Sequence, residues 1–364
     1  MRRMASSTAA ILMAGCFHLS PAQAADIDWT NVAGALGRPL PTAAAGGVYR
    51  FSLPRSDLKV VVDGVQIRPA LALGGWVAFM PMGDRAMVMG DLVLTQSKIN
   101  PVMKRLVERG FEISAIHNHL LRAEPAPMYM HVGAHGDPVA LAGTLRAALA
   151  LSALPAAPAS PSPQPAMEID TAAIDAIMRA KGTANGGVYQ FGAPRAAPVR
   201  EAGMKVPIAM GSAHVINFQP TGGGKAAITG DFVLLADEVN PVLRALRAHG
   251  IEVTAIHSHM LRDDPRLFFM HFWANDDATA LARGVRAALD APTTLAQATS
   301  PGGQTSMTPS EKEAQARLGR AGYTQVRDIK SGPEGVTAKA VKDGREVSVV
   351  VDSGGRIRES RAKP

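Results

Sequence analysis

Six of the ten histidines occupy three positions that recur 140 residues apart: His117, His119 and His131, then His257, His259 and His271. The first set sits in Ala-Ile-His-Asn-His-Leu-Leu-Arg-Ala-Glu-Pro, the second in Ala-Ile-His-Ser-His-Met-Leu-Arg-Asp-Asp-Pro, and each copy then reaches Met-His. Residues i and i+2 of a strand share a face, so each H-x-H pair points one way. If residues 120–127 turn the chain, the next strand returns antiparallel and sets His131 beside the pair. Three imidazoles then converge in each copy, with Glu124 or Asp264 in the loop as a fourth ligand. Three His with an open position suit Zn2+, and an added carboxylate suits Mn2+ or Fe2+. A divalent transition metal held this way can polarise a substrate or activate water. Two other readings compete. The histidines can form a hydrogen-bonded network or polar small-ligand pocket without metal, or they can be an inheritance of the duplication with no role.

No rival chemistry competes, because G-x-S-x-G, P-loop and dinucleotide patterns are all missing from the sequence. Gly222-Gly223-Gly224-Lys225 lacks P-loop spacing and reads as a hairpin turn. Asp91 and Asp231 each follow a glycine and read as strand-edge or bulge residues. Arg122 and Arg262 can pair with an anion but read as surface. His135 faces Asn275 in the alignment of the copies and reads as loop. Met82, Met128 and Met130 read as core. A hydrolytic site needs a general base besides its ligands. Near the histidines only Glu124, Asp264 and Asp263 qualify, and Ala123 stands opposite Asp263. The balance therefore favours binding over catalysis, with a metal-dependent enzyme and a non-catalytic interaction scaffold as alternatives.

The elements that must carry these residues come twice. Gly46-Gly47-Val48-Tyr49-Arg50-Phe51 returns as Gly186-Gly187-Val188-Tyr189-Gln190-Phe191, and residues 90–150 match 230–290 without a gap, with 28 identities in 61 positions. Asp26-Ile27-Asp28 echoes Glu168-Ile169-Asp170. Self-similarity of this kind predicts two homologous domains, 26–150 and 167–290. A Pro/Ala/Ser linker at 151–166 joins them, and a second linker at 291–307 leads to a C-terminal unit at 308–364. Within the first copy, alternation predicts strands at 48–53, 59–67 (broken at Asp63-Gly64), 76–80, 87–94, 111–119 and 128–132. Helices are predicted at 99–109, with Asn100 as cap, and at 138–150. The order implies an α+β fold in each copy: helices on one side of a mainly antiparallel sheet. Residues 308–364 read as a helix over 309–320 followed by a three-stranded meander.

The chain has 364 residues and a formal charge of +7, but residues 26–305 hold 24 basic against 23 acidic groups. Without a basic stripe in the main body, nucleic acid is not an expected partner. Residues 1–24 read as an export signal: Arg2 and Arg3, an apolar run, then Ala22-Gln23-Ala24. Cys16, the only cysteine, lies in Leu-Met-Ala-Gly-Cys, a lipobox-like run. Cleavage either follows Ala24 or precedes a lipidated Cys16 that tethers the chain to a membrane. The expected location is the periplasm or an outer-membrane anchor. The domains beyond the signal carry no disulfide.

In sequence order, Gly-Gly-Val-Tyr, Gly-Asp-Phe-Val-Leu, Glu-Val-Asn-Pro-Val, Ile-His-Ser-His-Met and Phe-Met-His-Phe-Trp resemble the LppY/LpqO family. These are exported bacterial proteins, some of them lipoproteins, built on a domain of unknown function. The resemblance covers residues 26–290 and is clearest in the second copy, since the first has Met128-Tyr129-Met130-His131-Val132-Gly133 where the aromatic motif falls. It implies location and fold but no activity. The C-terminal unit resembles a PepSY-type domain through Arg320-Ala321-Gly322-Tyr323, Val326-Arg327-Asp328-Ile329 and Val349-Val350-Val351-Asp352. That resemblance implies a protein partner.

Overall fold

The computed structural model describes residues 27–156, 166–195, 197–298, 309–332, 335–352 and 355–361. The export segment with Cys16, most of the first linker and residues 299–308 of the second lie outside them. Residues 1–289 form one compact unit and 290–364 another.

The first copy runs α1 (Trp29–Leu36), β1 (Tyr49–Pro54), β2 (Val61–Val62), β3 (Val65–Gln66), α2 (Pro69–Ala72), β4 (Gly74–Met82), β5 (Arg85–Thr95), α3 (Gln96–Val107), β6 (Glu112–His117), β7 (Pro127–Gly136) and α4 (Pro138–Leu149). Its antiparallel sheet has the order β1-β4-β5-β7-β6. The second copy runs α5 (Thr171–Met178), β8 (Thr183–Asn185), β9 (Val188–Pro194), β10 (Arg200–Glu201), β11 (Met204–Lys205), β12 (Ala213–Gly222), β13 (Lys225–Leu234), α6 (Ala236–Ala248), β14 (Glu252–His257), β15 (Asp263–Asp264), β16 (Phe268–Asp277) and α7 (Ala278–Ala298). Its sheet, β14-β16-β13-β12-β9-β8, repeats the first order with one strand added.

Period-2 alternation splits each sheet into two apolar faces. One face carries Phe51, Val77, Val88, Leu92, Met130 and Val132 and packs under α1, α3 and α4 through Leu36, Leu106 and Leu145. Phe191, Phe218, Phe232 and Phe272 do the same under α5, α6 and α7. The opposite faces meet each other. Val93 and Tyr129 share a cluster with Val188, Ala227 and Trp273, and Met87 and Met89 share one with Val233 and Phe269. The two copies are thus layers of one body.

Several local rules explain the elements. Asp28 and Asp170, the echoed acids, cap α1 and α5 by accepting from Thr30 N and Ala173 N. Gly46-Gly47 and Gly186-Gly187 turn with left-handed φ of 81°, 72°, 57° and 76°. At Gly186 a Cβ would also press on Ala70 of the other copy, at 2.9 Å. The helix expected at 99–109 starts a turn earlier, at Gln96, and keeps Pro101 inside it, because Asn100-Pro101 is tolerated while Val102 and Leu106 anchor the face. The strand broken at Asp63-Gly64 is the hairpin β2–β3. Gly222 pairs with Lys225 across the β12–β13 turn, the hairpin read from sequence. Met130 is core, whereas Met82 ends β4 at 38% exposure.

Helix α7 continues to Ala298, into the segment expected to be linker. Leu295-Ala296-Gln297-Ala298 are strong helix formers, which explains the extension. In the C-terminal unit α8 spans Pro309–Arg320 as expected, but the meander has four strands: β17 (Thr324–Gly332), β18 (Gly335–Lys342), β19 (Arg345–Val351) and β20 (Ile357–Arg361), in that order. Leu318, Tyr323, Ala340 and Val349 form its core. Among the described residues no helix is long and apolar enough to cross a membrane.

Candidate metal centre between the repeats

Strand register assembles the site. Across β6–β7, Ala115 pairs with His131 and His117 with Tyr129; across β14–β16, Ala255 pairs with His271 and His257 with Phe269. Both edges carry a register shift at the same place, between Ile113 and Ala115 and between Val253 and Ala255. The strands expected to run to His119 and His259 stop at His117 and His257. The turns that follow nonetheless hold each H-x-H pair together: His117 and His119 bring their Nε2 atoms to 3.1 Å.

The two hairpins do not form separate sites. His117 stacks on His257 with ring centroids 3.7 Å apart, His119 lies 3.7 Å from His271, and His131 lies 3.9 Å from His259. Reciprocal bonds lock this arrangement about an approximate two-fold axis. Ser114 Oγ donates to the His259 carbonyl and Thr254 Oγ1 to the His119 carbonyl, each at 2.6 Å. Arg122 pairs with Glu252, and Arg262 with Glu112. The sequence-predicted six therefore meet as one cluster built from both copies.

Two groups of three bring ligand atoms within 4.8 Å of one another: His117 with His257 and His271, and His131 with His257 and His259. Each group draws on both repeats. His271 Nδ1 meets the Gly230 carbonyl at 2.7 Å. A carbonyl only accepts, so Nδ1 carries the proton and Nε2 presents its lone pair, the usual arrangement of a metal-binding imidazole. Gly230 is required there because a Cβ would overlap the Val215 carbonyl oxygen.

The hydrogen-bond accounting is one-sided. Buried ring nitrogens of His117, His131, His257, His259 and His271 have no partner, and His257 lacks one on both nitrogens. Buried polar atoms are normally paired, and each one left alone costs about 1–3 kcal/mol. Burial first, then neighbouring imidazoles, pushes His117 down to about 3 and holds His119 and His131 well below the ordinary histidine range. Burial keeps His117, His119 and His131 neutral at pH 7, so each of these rings offers one lone pair. A cation is the complement of that arrangement.

Behind the rings stand two carboxyls that the sequence reading placed at strand edges. Asp91 and Asp231 instead lie on the central strands β5 and β13, in register with His131 and His271. Asp231 Oδ2 lies 3.1 Å from His259 Nε2, an ion-pair distance without hydrogen-bond alignment. Asp91 Oδ2 lies 3.7 Å from His119 Nε2. Burial, then the Asp231 carboxylate, raises Asp91 to about 8. Burial opposes ionisation of Asp231 too, but His271 and His259 outweigh it and lower its pKa. The signal that could have found this pair was a charged residue repeated inside an otherwise apolar strand in both copies. Glu124 and Asp264, expected as fourth ligands, are exposed and belong to neither group. Their backbones pair with Val61 and Arg200 instead. Asp263, the other base considered, is buried and bound to Arg266 and the Leu267 N–H. Arg122 and Arg262 are surface residues, as expected, but they pair across the repeats. His135 is exposed.

A cavity of about 930 Å³ opens onto His119, His259, His271, Asp91 and Asp231. Its walls come from both sheets and include Arg50, Trp76, Gln190 and Asn217.

The sequence model of the family described as Domain of Unknown Function (DUF1259) matches residues 30–151 and 172–291. The chain belongs to that family, in two tandem copies. Each match contains one full set of three histidines and its Asp. No curated protein matches the chain. Among solved structures, the trimeric bacterial microcompartment shell protein PduB aligns over 71% of this chain and 94% of its own at 12% identity and a TM-score of 0.19. EtuB from Clostridium kluyveri aligns over 71% and 92% at 8% identity with the same score. Scores this low carry no argument about fold or function.

Proposed function

We propose that the protein is an exported metal-binding protein of the cell envelope that holds a divalent transition ion between its repeats. The observation that carries this reading is the set of buried, unpartnered ring nitrogens gathered from both copies. Three-imidazole groups without a carboxylate ligand favour Zn2+ over Mn2+. Asp231 and Asp91 serve as outer partners that offset the ion's charge and orient His259 and His119. The export segment, with or without a lipid on Cys16, sets the location, and the PepSY-like C-terminal unit supplies a contact for a protein partner.

The test is elemental analysis of the purified mature protein beside His257→Ala and the His117→Ala/His119→Ala pair. Metal near stoichiometry in the parent, lost in both variants, supports a composite site. A His117→Ala/His119→Ala variant that keeps half the metal would mean two independent sites. No metal retained or taken up by a folded parent would refute the reading.

A metal-dependent enzyme is the second reading, and the cavity favours it, because a purely structural ion needs no 930 Å³ approach. An ion ligated by three imidazoles keeps a position open for water or substrate.

A further inference from the structure

The cavity over the cluster is not symmetric, although the repeats that build it are. Where the first copy presents Arg50 and Trp76, the register of the second presents Gln190 and Val215. Gln190 is already committed: its Nε2 donates to the Ala70 carbonyl and to Asn217 Oδ1. Arg50 is not. Its guanidinium stacks 3.7 Å over the Trp76 ring, and NH1 donates to the Ala209 carbonyl at 2.7 Å. Among the described residues it has no carboxylate ion pair, and it is solvent-accessible on the cavity wall. A planar guanidinium fixed on an indole, with its other N–H groups free, is built to receive a carboxylate edge-on.

The spacing to the cluster sets the size of what fits. Trp76, Asp91 and His131 are successive cross-strand neighbours. The backbones of Trp76 and His131 therefore stand two strand spacings, about 10 Å, apart, and Arg50 shares the cavity wall with His119, His259 and His271. A ligand that meets both the guanidinium and an ion on the rings therefore has two anionic ends held a short distance apart. Asp91 and Asp231 line the same cavity, Asp91 within the electrostatic reach of Arg50, but they stand against His119 and His259, where a bound dication would offset them.

We propose that this cavity binds a small dicarboxylate, one end on Arg50 and the other on the metal. The proposal rests on the metal reading above and adds the ligand class. It also explains why one repeat departs from the other at this position: a bridging ligand needs one cationic end and one metal end.

The test uses the full mature chain loaded with Zn2+, with zinc content measured on every sample, and titrates succinate and acetate by calorimetry. Succinate is expected to bind at least 10-fold tighter than acetate. Arg50→Gln, which copies the second repeat, should weaken succinate 10-fold or more while leaving acetate and zinc content unchanged. Arg50→Lys, which keeps charge without the planar fork, should fall between. Zinc retained with succinate no tighter than acetate, or with Arg50→Gln equal to the parent, overturns the dicarboxylate and leaves the metal site standing. Zinc absent from a folded parent overturns the metal site, and the bridging ligand with it.

Discussion

Replacing His257 with alanine separates a ligand from a packing residue, because the two roles predict opposite patterns with and without metal. His257 belongs to both three-His groups, and both its ring nitrogens are buried without a partner. In metal-free protein the substitution removes two uncompensated nitrogens, a gain of about 2 kcal/mol or more. It also removes a ring stacked 3.7 Å from His117, a truncation cost of about 2–4 kcal/mol. The terms nearly cancel, so metal-free variant and parent should unfold within about 1–2 kcal/mol of each other. With Zn2+ at 100 times its Kd the parent gains about 2.7 kcal/mol. Losing a ligand weakens binding by at least the 100-fold seen for outer-sphere partners, and the same zinc then adds only about 0.4 kcal/mol. For a unit of this size the difference is about 5–9 °C in melting temperature. Thermal melts of both proteins, stripped with chelator and with zinc restored, read it directly. An equal zinc-induced shift in parent and variant would refute the ligand role. A large loss in the stripped proteins with no zinc effect in either would make His257 packing alone.

Other consequences can be checked on the same protein. Gly143→Ala, on α4 with open space where the Cβ would go, should raise stability by about 0.5–1 kcal/mol in chemical denaturation. Arg122→Ala with Arg262→Ala removes both cross-repeat surface pairs, yet each arginine is half exposed. The double variant should unfold close to the parent in chemical denaturation, with any difference shrinking at high salt, and a clear loss that salt does not reduce would give these pairs a role that exposed charges lack. His117 and His214 are held down to about 3 and about 4, burial being the main cause in both. Their contribution to metal-free stability is complete above pH 6.5, the unfolded value, and is lost as pH falls from 6.5 toward 4 and 3. Metal-free melting temperatures that stay flat from pH 7 to 4 would contradict that. Glu238→Gln weakens the half-buried pair with Arg195 and the bond to the Leu235 N–H at the start of α6. A loss of about 1–2 kcal/mol is expected in equilibrium unfolding.

Much of this was legible from residue types alone. Period-2 alternation points His117 and His119 the same way, and the antiparallel return brings His131 beside His117. The duplication announced two α+β copies, and each appears with its helices on one face of its sheet. What local pattern could not show is what covers the other face. That is decided by two sheets meeting, and sequence carries no address for a partner surface. For the same reason two separate sites were expected where one composite cluster stands. Asp91 and Asp231 were missed because a charged residue after glycine suggests an edge, while register places them on central strands. Glu124 and Asp264 were expected near the histidines from sequence proximity, but the turn carries them outward to pair with Val61 of β2 and Arg200 of β10. The fourth strand of the C-terminal unit, Ile357–Arg361, escaped because its charged residues look like a tail.

Six imidazoles arranged about a two-fold axis are also what two identical one-repeat chains would build, three from each. The reciprocal Ser114–His259 and Thr254–His119 bonds have the self-complementary form that a homodimer interface would have, here within one chain. A relative carrying a single copy would have to pair with itself to possess the site at all, and its affinity for metal would depend on its own concentration. Fusion removes that dependence. It also breaks the rule of identity between halves, so that one wall can gain an arginine while the other keeps a glutamine, and a symmetric histidine cluster can evolve a direction.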